Sequence, residues 1–255
     1  MSEGKVTLSI EGAVATVWFD HAVAYNAMTF AMYAQLAEAC TQIAATPGLR
    51  AAAFRGRGKA FVAGTDIREF LDFTGAEDGL AYEQRIETGI AQIEALPVPT
   101  LAIIDGAAMG GGLVIAAACD LRLVSTRSRF GVPIARTVGN CLSGRNVARL
   151  VESFGLGPVR AMLLLAQILQ PEQAVASGFA FEAVEPEVID FRAAELLGIL
   201  LANAPLSIAA GRQAIRLAAR GGDDSEMIRR VYGSADFKEG VRAFVEKRAP
   251  VWTGR

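Results

Sequence analysis

Two stretches of the 255-residue chain put small residues where main-chain N–H groups could grip a carbonyl oxygen or a phosphate. One is Gly58-Lys59-Ala60-Phe61-Val62-Ala63-Gly64-Thr65-Asp66-Ile67. The other is Asp105-Gly106-Ala107-Ala108-Met109-Gly110-Gly111-Gly112, followed by an apolar run to Cys119-Asp120. Each reads as the passage from a strand into a helix. Such a junction leaves N–H groups without intrahelical partners at the positive end of the helix, which suits an oxyanion or a phosphate. Small residues also let a ligand come close to the backbone. A glycine-rich turn standing alone is usually only a tight turn. Gly58-Lys59 is not a P-loop, because Ala60 stands where Ser or Thr would bind magnesium, and neither stretch fits GxGxxG. Basic spots at Arg55, Arg57 and Lys59, and at Lys247 and Arg248, could hold a small phosphorylated ligand.

The elements that must position these turns follow from patterning. Val6–Ile10 and Ala13–Phe19 alternate around Glu11-Gly12 and predict a β-hairpin. Thr29–Ala45 carries Met32, Leu36, Ala39, Cys40 and Ile43 at helical spacing and ends at Pro47-Gly48. Ala51–Phe54 reads as a short buried strand, and Gly56–Gly64 as a loop. Ile67–Phe73 and Ala81–Leu96 read as helices. Thr100–Ile104 is a strand behind Pro97 and Pro99, Gly106–Gly112 a loop, Leu113–Cys119 a helix and Leu121–Ser125 a strand. This alternation favours an α/β fold. From about Glu195 the chain reads as helix only, turning at 203–205 and 221–224. The division is placed at 1–192 for an α/β core and 193–255 for a helical region.

Composition narrows the function. Hydrophobic residues make up 52% and charged residues 20%, the net charge is −2, and no polybasic run exists. Nucleic acid is therefore not expected as a partner, because phosphate backbones need clustered Lys and Arg. Cys40, Cys119 and Cys141 are odd in number and lack metal or CxxC spacing, so they predict reduced thiols and a cytoplasmic protein. The first residues lack a basic segment followed by an apolar stretch, so no signal peptide is expected. No apolar run reaches the ~18 residues of a membrane span. No bound metal or separate cofactor is expected.

Taken together and in order, five segments resemble the crotonase (enoyl-CoA hydratase/isomerase) superfamily. They are Tyr25-Asn26-Ala27-Met28, the Phe61–Ile67 turn, the triple glycine with its trailing Cys119-Asp120, Phe130-Gly131-Val132-Pro133, and Phe244-Val245-Glu246-Lys247-Arg248. The resemblance covers nearly the whole chain. It implies a superhelix of ββα units followed by C-terminal helices that form a homotrimer or a dimer of trimers. It implies an acyl-CoA thioester as substrate, with coenzyme A as part of that substrate. Thr65 and Gly111 match the two oxyanion-hole positions, which act through their backbone N–H groups. Val23 and Ala24 match a loop against the adenosine part. Ala63 and Ile67 match contacts to adenine, and Asp66 in the same turn is placed with them among the substrate-binding residues, fixing the loop through backbone bonds. Lys59, and Lys247 from a neighbouring subunit, match positions near phosphates.

The chain departs from that pattern where the family's acid and base would stand. The position two residues after the triple glycine is Val114, and the position after the Phe-Gly-x-Pro proline is Ile134. Ordinary two-glutamate hydration is therefore not implied. Arg136, Thr137, Asn140, Cys141 and Ser143 fall where the family lines its acyl pocket, and Arg136 and Asn140 are the candidates there. Glu69, Asp72 and Glu83 fall in the region of the pocket wall, where any of them could replace a missing base, though a solvated helix face is the plainer reading for each. His21, the single histidine, falls on the CoA side, and Asp120 reads as a structural cap. An altered hydratase or isomerase is the leading expectation. A decarboxylase or hydrolase is the next, since decarboxylation makes an enolate without abstracting a C–H proton. A non-catalytic acyl-CoA-binding subunit is the third.

Overall fold

The computed structural model describes residues 4–255, with the side chains of all these except Ala219 and Arg220. β1 (Lys5–Glu11) and β2 (Val14–Asp20) form the expected hairpin. α1 (Phe30–Ala45) follows, its first turn capped by Thr29 Oγ1, which accepts from the Met32 amide at 3.2 Å. The chain then repeats one unit three times: a strand, a second short strand, a helical segment. β3 (Ala51–Gly56), β4 (Ala60–Val62) and α2 (Ala76–Ala95) make the first. β5 (Thr100–Ile104), β6 (Ala107–Met109) and α3 (Gly111–Ala118) make the second. β7 (Leu121–Ser125), β8 (Arg129–Gly131) and α4 (Ile134–Thr137) make the third.

The first strands of the units build a six-stranded sheet in the order β1-β2-β3-β5-β7-β10, and the second strands build a four-stranded sheet, β4-β6-β8-β9. From β2 to β10 the larger sheet is parallel, as are β4, β6 and β8 in the smaller one. Parallel strands covered on both faces read as continuous apolar runs, which accounts for Ala51–Phe54 and Thr100–Ile104. The two sheets and their helices enclose one large core containing Phe19, Phe54, Phe61, Phe130 and Phe179.

The short second strands lie inside the stretches expected to be loops, 56–64 and 106–112. Three residues between glycines carry no readable alternation, and the sheet pairing that makes them strands is long-range. α2 begins at Ala76, five residues before the expected Ala81. Its start is polar, and Asp78 holds it by accepting from the Thr74 and Gly75 amides at 2.7 and 3.1 Å. The expected helix at Ile67–Phe73 is a 3-10 turn over Ile67–Phe70.

After α4 come α5 (Gly144–Phe154), α6 (Leu156–Leu165), β9 (Ile168–Leu169), α7 (Pro171–Ala176) and β10 (Glu182–Val184). The helical end consists of α8 (Ile189–Ala202), α9 (Pro205–Arg220), α10 (Ser225–Tyr232) and α11 (Ala235–Glu246). The 192/193 division falls within α8. That helix belongs with the sheet by its packing: Ile189, Ala193 and Leu196 bury against Ala53, Leu101, Ile103 and Leu123. Arg212 of α9 is pinned on Asp120 at 2.8 Å, and Asp120 also accepts from the Thr100 amide and hydroxyl. Asp120 is thus a structural tie between α9 and the head of β5.

Candidate active site

β4, β6 and β8 run side by side, so their C-terminal ends open at one edge of the smaller sheet. Ligands of parallel sheets bind at such edges. Thr65 follows β4, Gly111 follows β6, and the segment 134–143 follows β8. The β4 turn is fixed from below by Met28: its amide donates to Gly64 O at 2.8 Å, and its carbonyl accepts from the Asp66 amide at 2.9 Å. The Thr65 amide between those two bonds has no acceptor among the described residues. Gly110, at φ 48 and ψ −120, turns the chain into α3 and is hydrogen-bonded to Gly131 O at 2.9 Å. That backbone conformation is one glycine reaches without strain. Gly111 then opens α3, and its amide also lacks an acceptor among the described residues.

The two turns touch through side chains that the sequence reading did not single out. Tyr33 on α1 and Tyr82 on α2 both hydrogen-bond the Thr65 hydroxyl, at 2.9 and 2.7 Å. A Cβ built on Gly111 would lie 2.5 Å from Tyr33 Oη and 3.4 Å from Thr65 Oγ1, so the phenol sits directly against the helix start. Burial raises both phenols, Tyr82 to about 12, with the charge of Glu83 adding to it and the Thr65 bond opposing it. Both remain protonated through the neutral range. The signal in the sequence was a phenol at position 33 on the apolar face of α1, since a buried Tyr hydroxyl needs a partner.

Of the three carboxylates near the pocket wall, the structure separates one from the others. Asp72 is exposed, and Glu69 accepts from the Phe30 amide at 3.2 Å. Glu83, beside Tyr82 on α2, is half-buried and accepts from the Ser143 amide at 2.8 Å. Burial raises its pKa above the ordinary carboxylate value and the nearby Glu87 charge adds to this, while hydrogen bonds from Ser143 and Asn146 oppose it. One turn further along α2, Arg149 from α5 ties the helices together. Its guanidinium reaches Glu87 and Glu94 at 2.6 Å each and Asn146 Oδ1 at 2.8 Å. Those bonds hold the Glu87 carboxyl below its usual range.

The remaining candidates divide. Val114 is fully buried in α3 and Ile134 half-buried at the start of α4. Arg136 and Asn140 are exposed, and neither side chain has a partner among the described residues. Cys141 beside them is an exposed free thiol, whereas Cys40 and Cys119 are buried. The Asp66 carboxylate is taken up by the Arg68 guanidinium, with its Nε at 2.9 Å. The Ala63 amide donates to Tyr25 O at 3.1 Å. Val23, Tyr25 and Ile67 are exposed apolar side chains on the two loops joined by Met28. Lys59 and Lys247 are exposed. His21 is buried, its Nδ1 2.9 Å from Ala27 O, and buried Asn26 ties the same loop to Arg57 O and Ala60 O. His21 is thus part of the loop's framework, away from open solvent.

Paired ββα turns wound into a superhelix, with two helix-entry glycine turns at adjacent strand ends, define a crotonase fold. Residues 9–255 match the family model for enoyl-CoA hydratase/isomerase, and the chain belongs to that family. Among its relatives, a short-chain-enoyl-CoA hydratase of Clostridium acetobutylicum is 29% identical over 255 residues, covering 97% of each chain. An (E)-benzylidenesuccinyl-CoA hydratase of Thauera aromatica is 30% identical, covering 98% of this chain and 99% of its own. The crystal structure of an enoyl-CoA hydratase/carnithine racemase from Magnetospirillum magneticum superposes with a TM-score of 0.92 at 31% identity, over 100% of this chain and 97% of that one.

Proposed function

We propose that this acyl-CoA-processing enzyme holds its thioester carbonyl between the Thr65 and Gly111 amides and stabilises the enolate formed beside it. The observation that carries this is the pair of N–H groups, without an acceptor among the described residues, at the ends of neighbouring parallel strands. Two preorganised donors act where negative charge develops, and one such donor is typically worth about 3–4 kcal/mol. Coenzyme A would lie along Val23, Ala24 and Ile67, with Ala63 offering its carbonyl because its amide is engaged. Lys59 and a neighbouring subunit's Lys247 would face phosphates. Calorimetric titration with acetoacetyl-CoA is expected to show saturable binding that free acetoacetate does not give. No heat with several acyl-CoA thioesters at millimolar concentration would remove this reading.

Val114 and Ile134 favour a second reading, a decarboxylase or hydrolase. Neither position offers an acid or base, and loss of carbon dioxide leaves an enolate without C–H abstraction. The hole serves all of these reactions.

The same reading makes the protein a homotrimer or a dimer of trimers. Phe244, Val245 and Val241 on α11 are exposed, Phe244 at 85%. Beside them a groove of about 410 Å³ is lined by Leu206, Val231, Phe237 and Trp252. Exposed apolar patches of this kind mark contact surfaces. Light scattering is expected to give three or six times 26.9 kDa; a clean monomer at micromolar concentration speaks against it.

A further inference from the structure

We propose that Glu83 is the general base of this site, taking the α-proton of the bound thioester and returning it. The inference rests on the acyl-CoA reading above. Three strand ends converge on one place: Thr65 after β4, Gly111 after β6 and the 134–143 segment after β8. Glu83 stands beside it on α2, close enough for its charge to act on both Tyr33 and Tyr82. Its neighbour Tyr82 is bonded to Thr65 at 2.7 Å, and its own carboxylate receives the Ser143 amide at 2.8 Å. This turn of α2 therefore reaches the oxyanion turn through Tyr82 and the segment that would line the acyl group through Glu83, in a chain whose Val114 and Ile134 offer no acid or base.

The surroundings suit that role. Tyr33 from α1 and Tyr82 on the same helix are neutral phenols. Glu87, one turn along, is ion-paired with Arg149 and Arg145 of α5, and its charge still adds to the rise at Glu83. The Ser143 amide donates to the carboxylate at 2.8 Å, and Asn146 nearby acts with it against the rise. A base held in this way is kept above the ordinary carboxylate range by its burial, which brings it closer to the range where proton transfer is efficient. In the step itself, a Glu83 oxygen takes the α-proton. The C–H pair forms the carbon–carbon double bond of the enolate, and the carbonyl electrons move to the oxygen between the Thr65 and Gly111 amides. Reversal returns a proton from the Glu83 carboxylic acid to carbon, and no oxidant or second reactant is needed.

The test does not depend on knowing the natural reaction. Butyryl-CoA is incubated with the protein in deuterium oxide and α-deuteration is followed by mass, with binding measured on the same samples by calorimetry. Glu83→Gln keeps an acceptor for the Ser143 amide. It is expected to bind butyryl-CoA as the wild type does and to exchange ~10²–10⁴-fold more slowly. Glu83→Asp is expected to recover part of the rate. The wild-type rate should rise with pH as Glu83 ionises, and Glu83→Gln should lose that limb. Stability gives an independent readout. A carboxyl whose folded pKa is raised favours folding most below its unfolded value, and that contribution is lost as pH rises through the folded pKa. Glu83→Gln should therefore melt higher than wild type near pH 7, with the gain vanishing below about pH 4. A residue present only to cap Ser143 would not give this combination. Binding with no wild-type exchange, or with exchange unchanged in Glu83→Gln, overturns the assignment of Glu83 alone. Absence of binding by butyryl-CoA and by the other acyl-CoA thioesters titrated above overturns the thioester reading and this inference with it.

Discussion

Hydration of crotonyl-CoA is expected to be very slow in the wild-type protein and to rise roughly 10²–10⁴-fold when Val114→Glu and Ile134→Glu are combined. On the proposed reading the hole would polarise the thioester in either case, but Val114 and Ile134 give the wild type no pair of carboxylates to orient a water. The two positions differ in what they can hold. Ile134 opens the four-residue α4 and is half-buried beside exposed Ala135 and Arg136, so a glutamate there can ionise and act as the base. Val114 is fully buried among Leu113 and Ile115, so a glutamate there stays largely protonated, as an acid must, and lowers stability. Ile134→Glu alone should thus recover more than Val114→Glu alone, and the double variant more than either, because the two groups act on one water. Steady-state hydration by the four proteins decides this. Fast wild-type turnover that neither change alters would show that another group activates the water.

Removing one oxyanion donor is expected to weaken the hole by ~10²–10³-fold. Gly111 permits this surgically, because it is the first residue of α3, where proline is well tolerated and the N–H has no helical partner to lose. The proline ring would collide with Tyr33 Oη, so the change is made as Gly111→Pro in a Tyr33→Phe background. Tyr82 still holds the Thr65 hydroxyl there. Enolisation of bound acetoacetyl-CoA, followed by its ultraviolet band, should then shift to higher pH by about two to three units relative to Tyr33→Phe alone, since one unit is 1.36 kcal/mol. An unshifted titration would show that the Gly111 amide does not face the thioester oxygen.

Much of the fold was legible because its long elements obey local rules. The hairpin alternates, α1 repeats its apolar positions, and residues 51–54 of β3 and 101–104 of β5 are apolar runs. What escaped was set by distant contacts. β4 and β6 are Ala-Phe-Val and Ala-Ala-Met, and only their pairing with each other and with β8 makes them strands. The division at 192/193 cut through α8 because that helix is apolar enough to read as part of a tail, while its partners lie up to 143 residues earlier, at Ala53. The site shows the same split. Thr65 and Gly111 sit in turns whose glycines announce them. Glu83 could not be told from Glu69 and Asp72, because its contact is with Ser143, 60 residues away and fixed by how α2 and α5 pack. Tyr33 was hidden inside a helix pattern that accepts an aromatic ring without comment.

The distribution of thiols has a practical consequence. Cys40 and Cys119 are buried, and burial pushes both pKa values up, Cys40 to about 12, so neither offers a thiolate to an alkylating reagent near pH 8. Cys141 is exposed and stands two residues before the amide that holds Glu83. A maleimide dye or spin label would therefore attach at one place, at the rim of the site, without any engineered cysteine. A label there stands beside the Ser143–Glu83 contact and is expected to change its fluorescence or resonance signal when a ligand binds near that contact.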